Sequence, residues 1–510
     1  MAEKEYILAQ NIGALDCAAS LFSLSGAEAA SNMVHYSYSS NDRDWRWQSP
    51  EIWWRAFCQN CRTLLSNIPK DSVRIVSVCG QMMSCLPVDP DIRPLSDAIL
   101  FTDRRSVNEV KQIHSLLGAD RIYDITGICL SHTFSLSKIM WLKKNHPDIY
   151  RKTAYFIQCK DYINYRLTGR LVTDETDASF TQMYDLYRRQ WSDEILTAFG
   201  LGREKLPEVL PFGSILGKVT PKASEECGLS CEATVVLGVG DGRVPAIGSG
   251  AVRPGEGCIY LGNSSWLSQV SRTSDLDPDR TITKTPYFNG MYLNGGASLS
   301  GRRCADWYLN TFSYGGEKPG GSEAMADFLT RQLLCSPAGS NGVLFMPYLH
   351  GERSPWWNND ARGAFIGLCA QHSHSDLFRS ILEGIAFQLG LIKKRTEGME
   401  PFTNIYLAGN GSFLQWQQIL SDVMETDITS FAESGNVKCI GAALIAGIAI
   451  GAYQDYSEIA RFHHDQVITS PIRQNVKVYQ ELLPAFEDCY YALQDINRHL
   501  GQVDYSKLKG

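Results

Sequence analysis

The chain has 510 residues, 44% of them hydrophobic and 20% charged, which fits a globular protein of roughly two to four well-cored domains. The net charge of −7 offers no basic surplus and argues against nucleic acid or an anionic membrane as the main partner. The opening "MAEKEYILAQ" has no basic stretch leading into an apolar run, and the longest apolar run, residues 439–453, is too short for a bilayer. With fifteen cysteines, this predicts a cytoplasmic protein with reduced thiols.

"YILAQNIG" (6–13) reads as a strand ending in a glycine turn, and "CAASLFSL" (17–24) as the returning strand. A third strand is expected in "EAASNMVHYSY" (28–38). In "SPEIWWRAFCQNCRTLLSNI" (49–68), Ser49 suits an N-cap, Pro50 the first helical position and Glu51 the positive helix end. Trp53, Phe57, Cys61, Leu64 and Ile68 recur at helical spacing, so this is an amphipathic helix. Its lone CxxC pair, Cys58 and Cys61, has no second pair at zinc spacing and reads as core thiols. "VRIVSVCG" (73–80) reads as a buried strand, and residues 120–230 as helical and polar. The opening pattern returns in "GCIYLGNSSWLSQVS" (257–271). Helices are expected near 300–312, 375–396, 414–425 and 440–453, with a strand at 404–412. The mixture predicts an α/β layout. Two halves that open on the same hairpin suggest a duplication with a cleft between them, although glycine turns are common enough to recur by coincidence.

"VVLGVGDGRVPAIGSG" (235–250) sets Asp241 between glycines at the end of an apolar strand. An acid there is a candidate general base, or a turn residue satisfying local amides. "LGNSSW" (261–266) and "LAGNGSF" (407–413) are small-residue turns after strands, able to cradle phosphate or admit a flat base. "PYLHGERSPWWNNDARGAF" (347–365) gathers His350, Glu352, Arg353, Trp356, Trp357, Asp360 and Arg362 in a loop that reads equally as ligand-binding or as internally bonded.

Taken in order, these segments resemble the FGGY carbohydrate kinases, most closely the xylulokinase branch. "SPEIWW" is similar to the family's acidic-Pro-x-x-Trp-Trp helix start, and "FIQCKDYINYRLTGRLVTDETDAS" (156–179) to its Lys-Asp-Tyr and Tyr-Arg-Leu-Thr-Gly segment. "GVGDG", "PYLHGERSPWW", "LEGIAFQLG" (382–390) and "AGNGS" (408–412) match further segments in the same order. The resemblance implies an α/β fold of two actin-like/ribonuclease-H-like ATPase domains with an interdomain cleft. Residues 1–248 would form the sugar-binding side and 249–510 the nucleotide-binding side. It implies transfer of the ATP γ-phosphoryl group, with Mg²⁺, to a hydroxyl of D-xylulose or a related ketose or polyol. Asp241 is then the base. Gly13, Gly262, Asn263 and Ser264 flank the ATP phosphates, and Gly409, Asn410 and Gly411 lie against adenosine. Gln81, Met82, Met83, Asp103 and Arg105 face the sugar, and Asn11, Asp16 and Asp241 are the Mg²⁺ candidates. The implied partners are the sugar and ATP, with no nucleic acid and no membrane, and the family's common homodimer.

The chain also departs from the family. The first turn runs Asp-x-Gly-Thr-Thr-Ser-x-Lys in the family and Asn11, Ile12, Gly13, Ala14, Leu15, Asp16, Cys17, Ala18 here. The leading acid is an amide, and the threonines and the basic residue are gone. Met83 stands in place of a histidine. The Trp-Asn-Asp-x-Arg segment reads Phe101, Thr102, Asp103, Arg104, Arg105, Asp-Asn reads Asp241-Gly242, and Gly-Thr-Ser reads Gly262-Asn263-Ser264. Two readings stay open: an ATP-dependent kinase, and a sugar- or nucleotide-binding regulatory protein on the same scaffold. An assembly ATPase of the actin or chaperone type shares the fold but not the FGGY segments.

Overall fold

The computed structural model describes residues 5–312, 329–409, 414–431 and 436–503. The contacts divide the chain into two compact units. The first holds Met1–Val252, Thr283–Leu293 and Asn436–His464, and the second Arg253–Ile282, Asn294–Gly435 and Asp465–Gly510.

The first unit is built on six strands: β1 (Tyr6–Ile12), β2 (Asp16–Ser23), β3 (Glu28–His35), β4 (Val73–Gly80), β5 (Ile215–Lys218) and β6 (Thr234–Gly240), in the order β5-β6-β4-β1-β2-β3. β1 turns back into antiparallel β2, whereas β1, β4 and β6 run parallel. The register sets Asn11 opposite Ala18 and Cys79, and Gly80 opposite both Ile12 and Gly240. The carboxyl ends of three neighbouring parallel strands therefore stand side by side, the position where open α/β sheets collect ligands.

Four helices matter here: α1 (Pro50–Leu65), α2 (Cys159–Thr168), α3 (Val244–Ser249) and α4 (Val437–Ala449). α4 packs on β1, β4 and β6, and α1 on β2 and β3. Every residue of β1 is consequently buried. α1 buries Trp53, Phe57, Cys61 and Leu64 at the expected spacing, and each large apolar side chain so removed from water contributes about 2–3 kcal/mol. Cys58 and Cys61 lie in this core beside Cys227, none of the fifteen cysteines forms a disulfide, and burial pushes the Cys58 thiol up to about 12.

The 120–230 stretch differs from the expectation of a helical, polar segment. Most of its regular structure is helical, as expected; the difference lies in added strands of two to four residues, too short for a periodicity window to register, and in one group of charges that is internal. Lys160 Nζ lies 2.8 Å from Asp174, 3.2 Å from Asp177 and 3.7 Å from Asp161, and all four side chains are buried. Burial disfavours the Lys160 charge, but the surrounding carboxylates outweigh it and hold its pKa up. Burial likewise raises Asp177 well above the carboxylate range and pushes Asp161 up to about 6. The cluster reaches the sheet. Asp174 accepts from the Thr176 amide and hydroxyl, and Thr176 Oγ1 accepts from the Gly240 amide at 3.0 Å.

A pH dependence follows. The folded-state pKa of Asp161 lies above the ordinary aspartate value of 3.8, so the folded protein holds the extra proton. Its contribution to stability is fully present below that value and is lost as pH rises through about 6. Asp161→Asn is therefore expected to flatten the melting temperature against pH across this interval relative to the unmodified protein. Parallel curves for the two proteins would contradict the assignment.

The second unit repeats the first. Its strands are β7 (Glu256–Leu261), β8 (Ser265–Ser271), β9 (Tyr292–Ser298, in this unit from Asn294), β10 (Asn404–Ala408), β11 (Ile428–Phe431) and β12 (Gln466–Thr469), ordered β9-β8-β7-β10-β11-β12. β7–β8 is an antiparallel hairpin, β7–β10 and β10–β11 are parallel, and β11–β12 is antiparallel. The same sequence of pairings runs from β2 to β5 in the first unit, so the recurring hairpin is a duplicated architecture. The loop at 347–365 is tied at Glu352 both to itself and to the end of β9. Glu352, 1% exposed, accepts from Ser298 Oγ, Ser300 Oγ and the amides of Leu299 and Arg353.

Candidate active site

The turn between β1 and β2 is closed by Gly13 N–H donating to Asp16 O at 2.8 Å. A Cβ on Gly13 would lie 3.1 Å from Asp16 Oδ1, so the Asp16 carboxylate folds over the turn. The Tyr36 hydroxyl donates toward both Gly13 O and Asp16 O at 2.8 Å. Burial raises the Tyr36 pKa, and the charges of Asp16 and Asp241 add to it, so both acids lie within electrostatic reach of one phenol. Asn11 is 3% exposed, and its Oδ1 has no hydrogen-bond partner among the described residues.

The Gln81–Met83 segment lies against this turn. Gln81 N–H donates to Ile12 O at 2.7 Å, and Gln81 Nε2 to Gly13 O and Gln48 Oε1. Met82 lies against the glycines on both sides of Asp241: a Cβ on Gly240 would meet its Cε and Sδ at 2.5 Å, and one on Gly242 its Sδ at 3.3 Å. Met83 has a φ of +66° and is pinned by Gln158 Oε1 on its amide and Lys138 Nζ on its carbonyl. Asp241 N–H donates to Gly80 O at 2.9 Å, and Asp241 Oδ2 meets Lys438 Nζ at 3.1 Å, both side chains being 21% exposed. Asn11, Gly13, Asp16, Gln81, Met82, Met83 and Asp241 are thus gathered around the ends of β1, β4 and β6.

Asp103 and Arg105 connect to them through the segment 46–48. Asp103 is fully buried, accepting from the Arg46 and Arg105 amides and, through both oxygens, from the Arg105 guanidinium at 2.8 and 2.9 Å. The guanidinium lies 4.6 Å from the Trp45 ring centre and 5.1 Å from that of Trp141.

In the second unit, the β7–β8 turn is Gly262-Asn263-Ser264, closed by Gly262 N–H on Ser264 O. The start of the helix Arg302–Thr311 backs it, with Arg302 N–H on Gly262 O and Arg303 Nε on Asn263 O. Gly409, at the end of β10, has a φ of +98° and meets the Leu261 carbonyl where a Cβ would be, so this position admits glycine alone. Gly262, Asn263, Ser264 and Gly409 are therefore neighbours, while Asn410 and Gly411 lie outside the described residues.

Lys438, Tyr36 and Gln48 were not singled out from sequence. For Lys438 a signal existed: it is the lone charged residue in the helix "VKCIGAALIAGIA". Tyr36 and Gln48 act through backbone carbonyls, which leave no trace in residue pattern.

The N-terminal domain profile of the FGGY family of carbohydrate kinases matches residues 6–248, and the C-terminal domain profile matches 258–450. The chain belongs to the FGGY family. It is 28% identical to a xylulose kinase of Staphylococcus xylosus over 95% of this chain and 99% of that one. A gluconokinase of Bacillus subtilis is 27% identical over 98% of both chains. A ligand-bound xylulose kinase from Lactobacillus acidophilus superposes with a TM-score of 0.90 at 25% identity, covering 96% of this chain and 98% of that one.

FGGY kinases are sugar phosphotransferases that use ATP with Mg²⁺. Among the described residues, no group of three or more His, Cys, Asp or Glu could hold a metal unaided. The candidate oxygens around the ends of β1, β4 and β6 are the Asp16 carboxylate, the Asp241 carboxylate, whose Oδ2 is shared with Lys438, and the Asn11 amide oxygen, which has no partner among the described residues. That set fits Mg²⁺ arriving with nucleotide phosphates, since this ion is commonly held by one or two carboxylates plus phosphate and water. No helix among the described residues is long and apolar enough to cross a membrane.

Proposed function

We propose that this FGGY kinase phosphorylates D-xylulose or a related ketose or polyol, with Asp241 as the general base. The observation that carries the reading is Asp241 at the carboxyl end of β6, bonded to Gly80 at the end of β4 and flanked by Met82 of the Gln81–Met83 segment, which itself bonds to the end of β1. ATP supplies the phosphoryl group, and Mg²⁺ neutralises its charge. Asp241 takes the hydroxyl proton as the sugar oxygen attacks, and it must lie within hydrogen-bond reach of that hydroxyl. Gln81, Met83 and Arg105 orient the sugar, with Asp103 fixing the guanidinium plane. Gly13, Gly262, Asn263 and Ser264 offer backbone to the phosphates, and Gly409 to Gly411 to the adenosine. Asn11, Asp16 and Asp241 hold the Mg²⁺. On this reading residues 1–248 bind the sugar and 249–510 the nucleotide, with the helix at 437–449 serving the sugar side.

The test is ADP release from Mg-ATP with D-xylulose, other ketoses, aldoses, polyols and gluconate, against a control without sugar. Release that depends on D-xylulose or a related ketose or polyol is expected. Release with gluconate alone would move the substrate to the other class named among the relatives. Calorimetric binding without release from any sugar would favour the second reading, a regulatory binder, which the first turn's missing threonines and basic residue support. On that second reading, restoring Asp at 11 and Thr at 14 and 15 raises turnover from near zero.

A further inference from the structure

We propose that Lys438 is the phosphoryl-contacting cation of this kinase, held on Asp241 in the resting protein and passing to the transferring phosphoryl oxygens when Mg-ATP binds. The proposal rests on the reading of Asp241 as the base. Transfer develops charge on the phosphoryl oxygens, and a fixed cation beside them lowers the barrier. The β1–β2–β3 region supplies none, because residues 5–42 contain no Lys or Arg. Lys438 is brought to the same place from a distant part of the chain. Its Nζ is 3.1 Å from Asp241, and the next residue, Cys439, directs its thiol to Ala18 O on β2. Asn436 ties the start of α4 to Ser20 and Glu28 of the same strands.

The helix position does not favour this lysine. It occupies the first turn of a helix, where the dipole opposes positive charge, and no acid precedes it in that turn. A partly exposed pair with Asp241 contributes about 1 kcal/mol at most. A charge kept in an otherwise apolar helix, against the dipole and on the candidate base, has a chemical use instead. In the step, the bond from the sugar oxygen to the γ-phosphorus forms as the bond to the β-phosphate oxygen breaks. The hydroxyl proton goes to Asp241, ADP leaves, and Lys438 stays protonated throughout. Moving Lys438 onto the phosphoryl group also frees the Asp241 oxygen to accept that proton.

The experiment compares Lys438→Met and Lys438→Arg with the unmodified full-length protein. Calorimetry with AMP-PNP and with ADP, both with Mg²⁺, separates a contact to the third phosphate from a structural role. Lys438→Met is expected to weaken AMP-PNP binding about 10-fold or more, to leave ADP binding within about 3-fold, and to lower kcat about 100-fold. Lys438→Arg recovers much of both losses. Equal AMP-PNP affinity in Lys438→Met and the unmodified protein overturns the proposal, with or without measurable turnover. Matching losses for both nucleotides, or a lower melting temperature in both variants, would make Lys438 structural and overturn it equally. Asp241→Asn, measured alongside, reports on the base separately: undiminished turnover there removes Asp241 while the nucleotide comparison still judges Lys438.

Discussion

Asp241→Asn is expected to lower kcat about 1,000-fold or more while leaving ATP binding within about 3-fold. The substitution keeps the size and one hydrogen-bonding oxygen but removes the capacity to take a proton. Asp241 is anchored by its own amide on Gly80 O and by the parallel register of β6 with β4, neither of which involves the carboxylate. Its contact to Lys438 is one-fifth exposed, so losing the charge costs the fold about 1 kcal/mol or less. A loss of turnover would therefore report chemistry rather than unfolding, and an unchanged melting curve is the control. Asparagine still accepts a hydrogen bond from Lys438, so the lysine stays near its resting position and the nucleotide is not deprived of it. Turnover at the level of the unmodified protein would show that the hydroxyl proton leaves by another route, and the acid between two glycines would then be a turn residue.

The elements that carry the site were largely legible in the sequence. Both hairpins, the buried strand 73–80, the amphipathic helix and the long helix His374–Glu397 fall within a few residues of their expected ends, because strong periodicity or a clear cap marks each. The small-residue helix was legible as close-packed, but it begins at Val437 rather than 440, so the reading missed the turn that holds Lys438. The charges of the 156–179 segment were assigned to a polar stretch, since nothing local shows that Lys160, Asp161, Asp174 and Asp177 neutralise one another inside the protein. The contact between Lys438 and Asp241 spans 197 residues, and such a pair becomes visible only when helix packing is known.

That packing supplies the other large expected effect. Gly248→Ala should lower the melting temperature by about 5–10 °C, corresponding to roughly 3 kcal/mol. Gly248 lies on α3, and a Cβ there would fall on the Val437 carbonyl oxygen of α4. From the other side, a Cβ on Gly441 would come 2.6 Å from Val244 Cγ2 and 2.8 Å from Val244 O. Both obstructing groups are helix backbone or a packed valine, so one methyl group must push the helices apart rather than turn a side chain aside. α3 begins three residues after Asp241, and Val437 is the neighbour of Lys438, so the separation that relieves the clash also lengthens the lysine–carboxylate contact. Gly248→Ala should therefore lose affinity for AMP-PNP relative to ADP, as is expected of Lys438→Met, while Gly398→Ala, where a Cβ meets nothing within 4 Å, should change neither property. Melting of Gly248→Ala at the temperature of the unmodified protein would mean that the two helices can slide without cost. The placement of Lys438 over Asp241 would then depend on the Asn436 and Cys439 contacts to β2 and β3 rather than on the glycine pair.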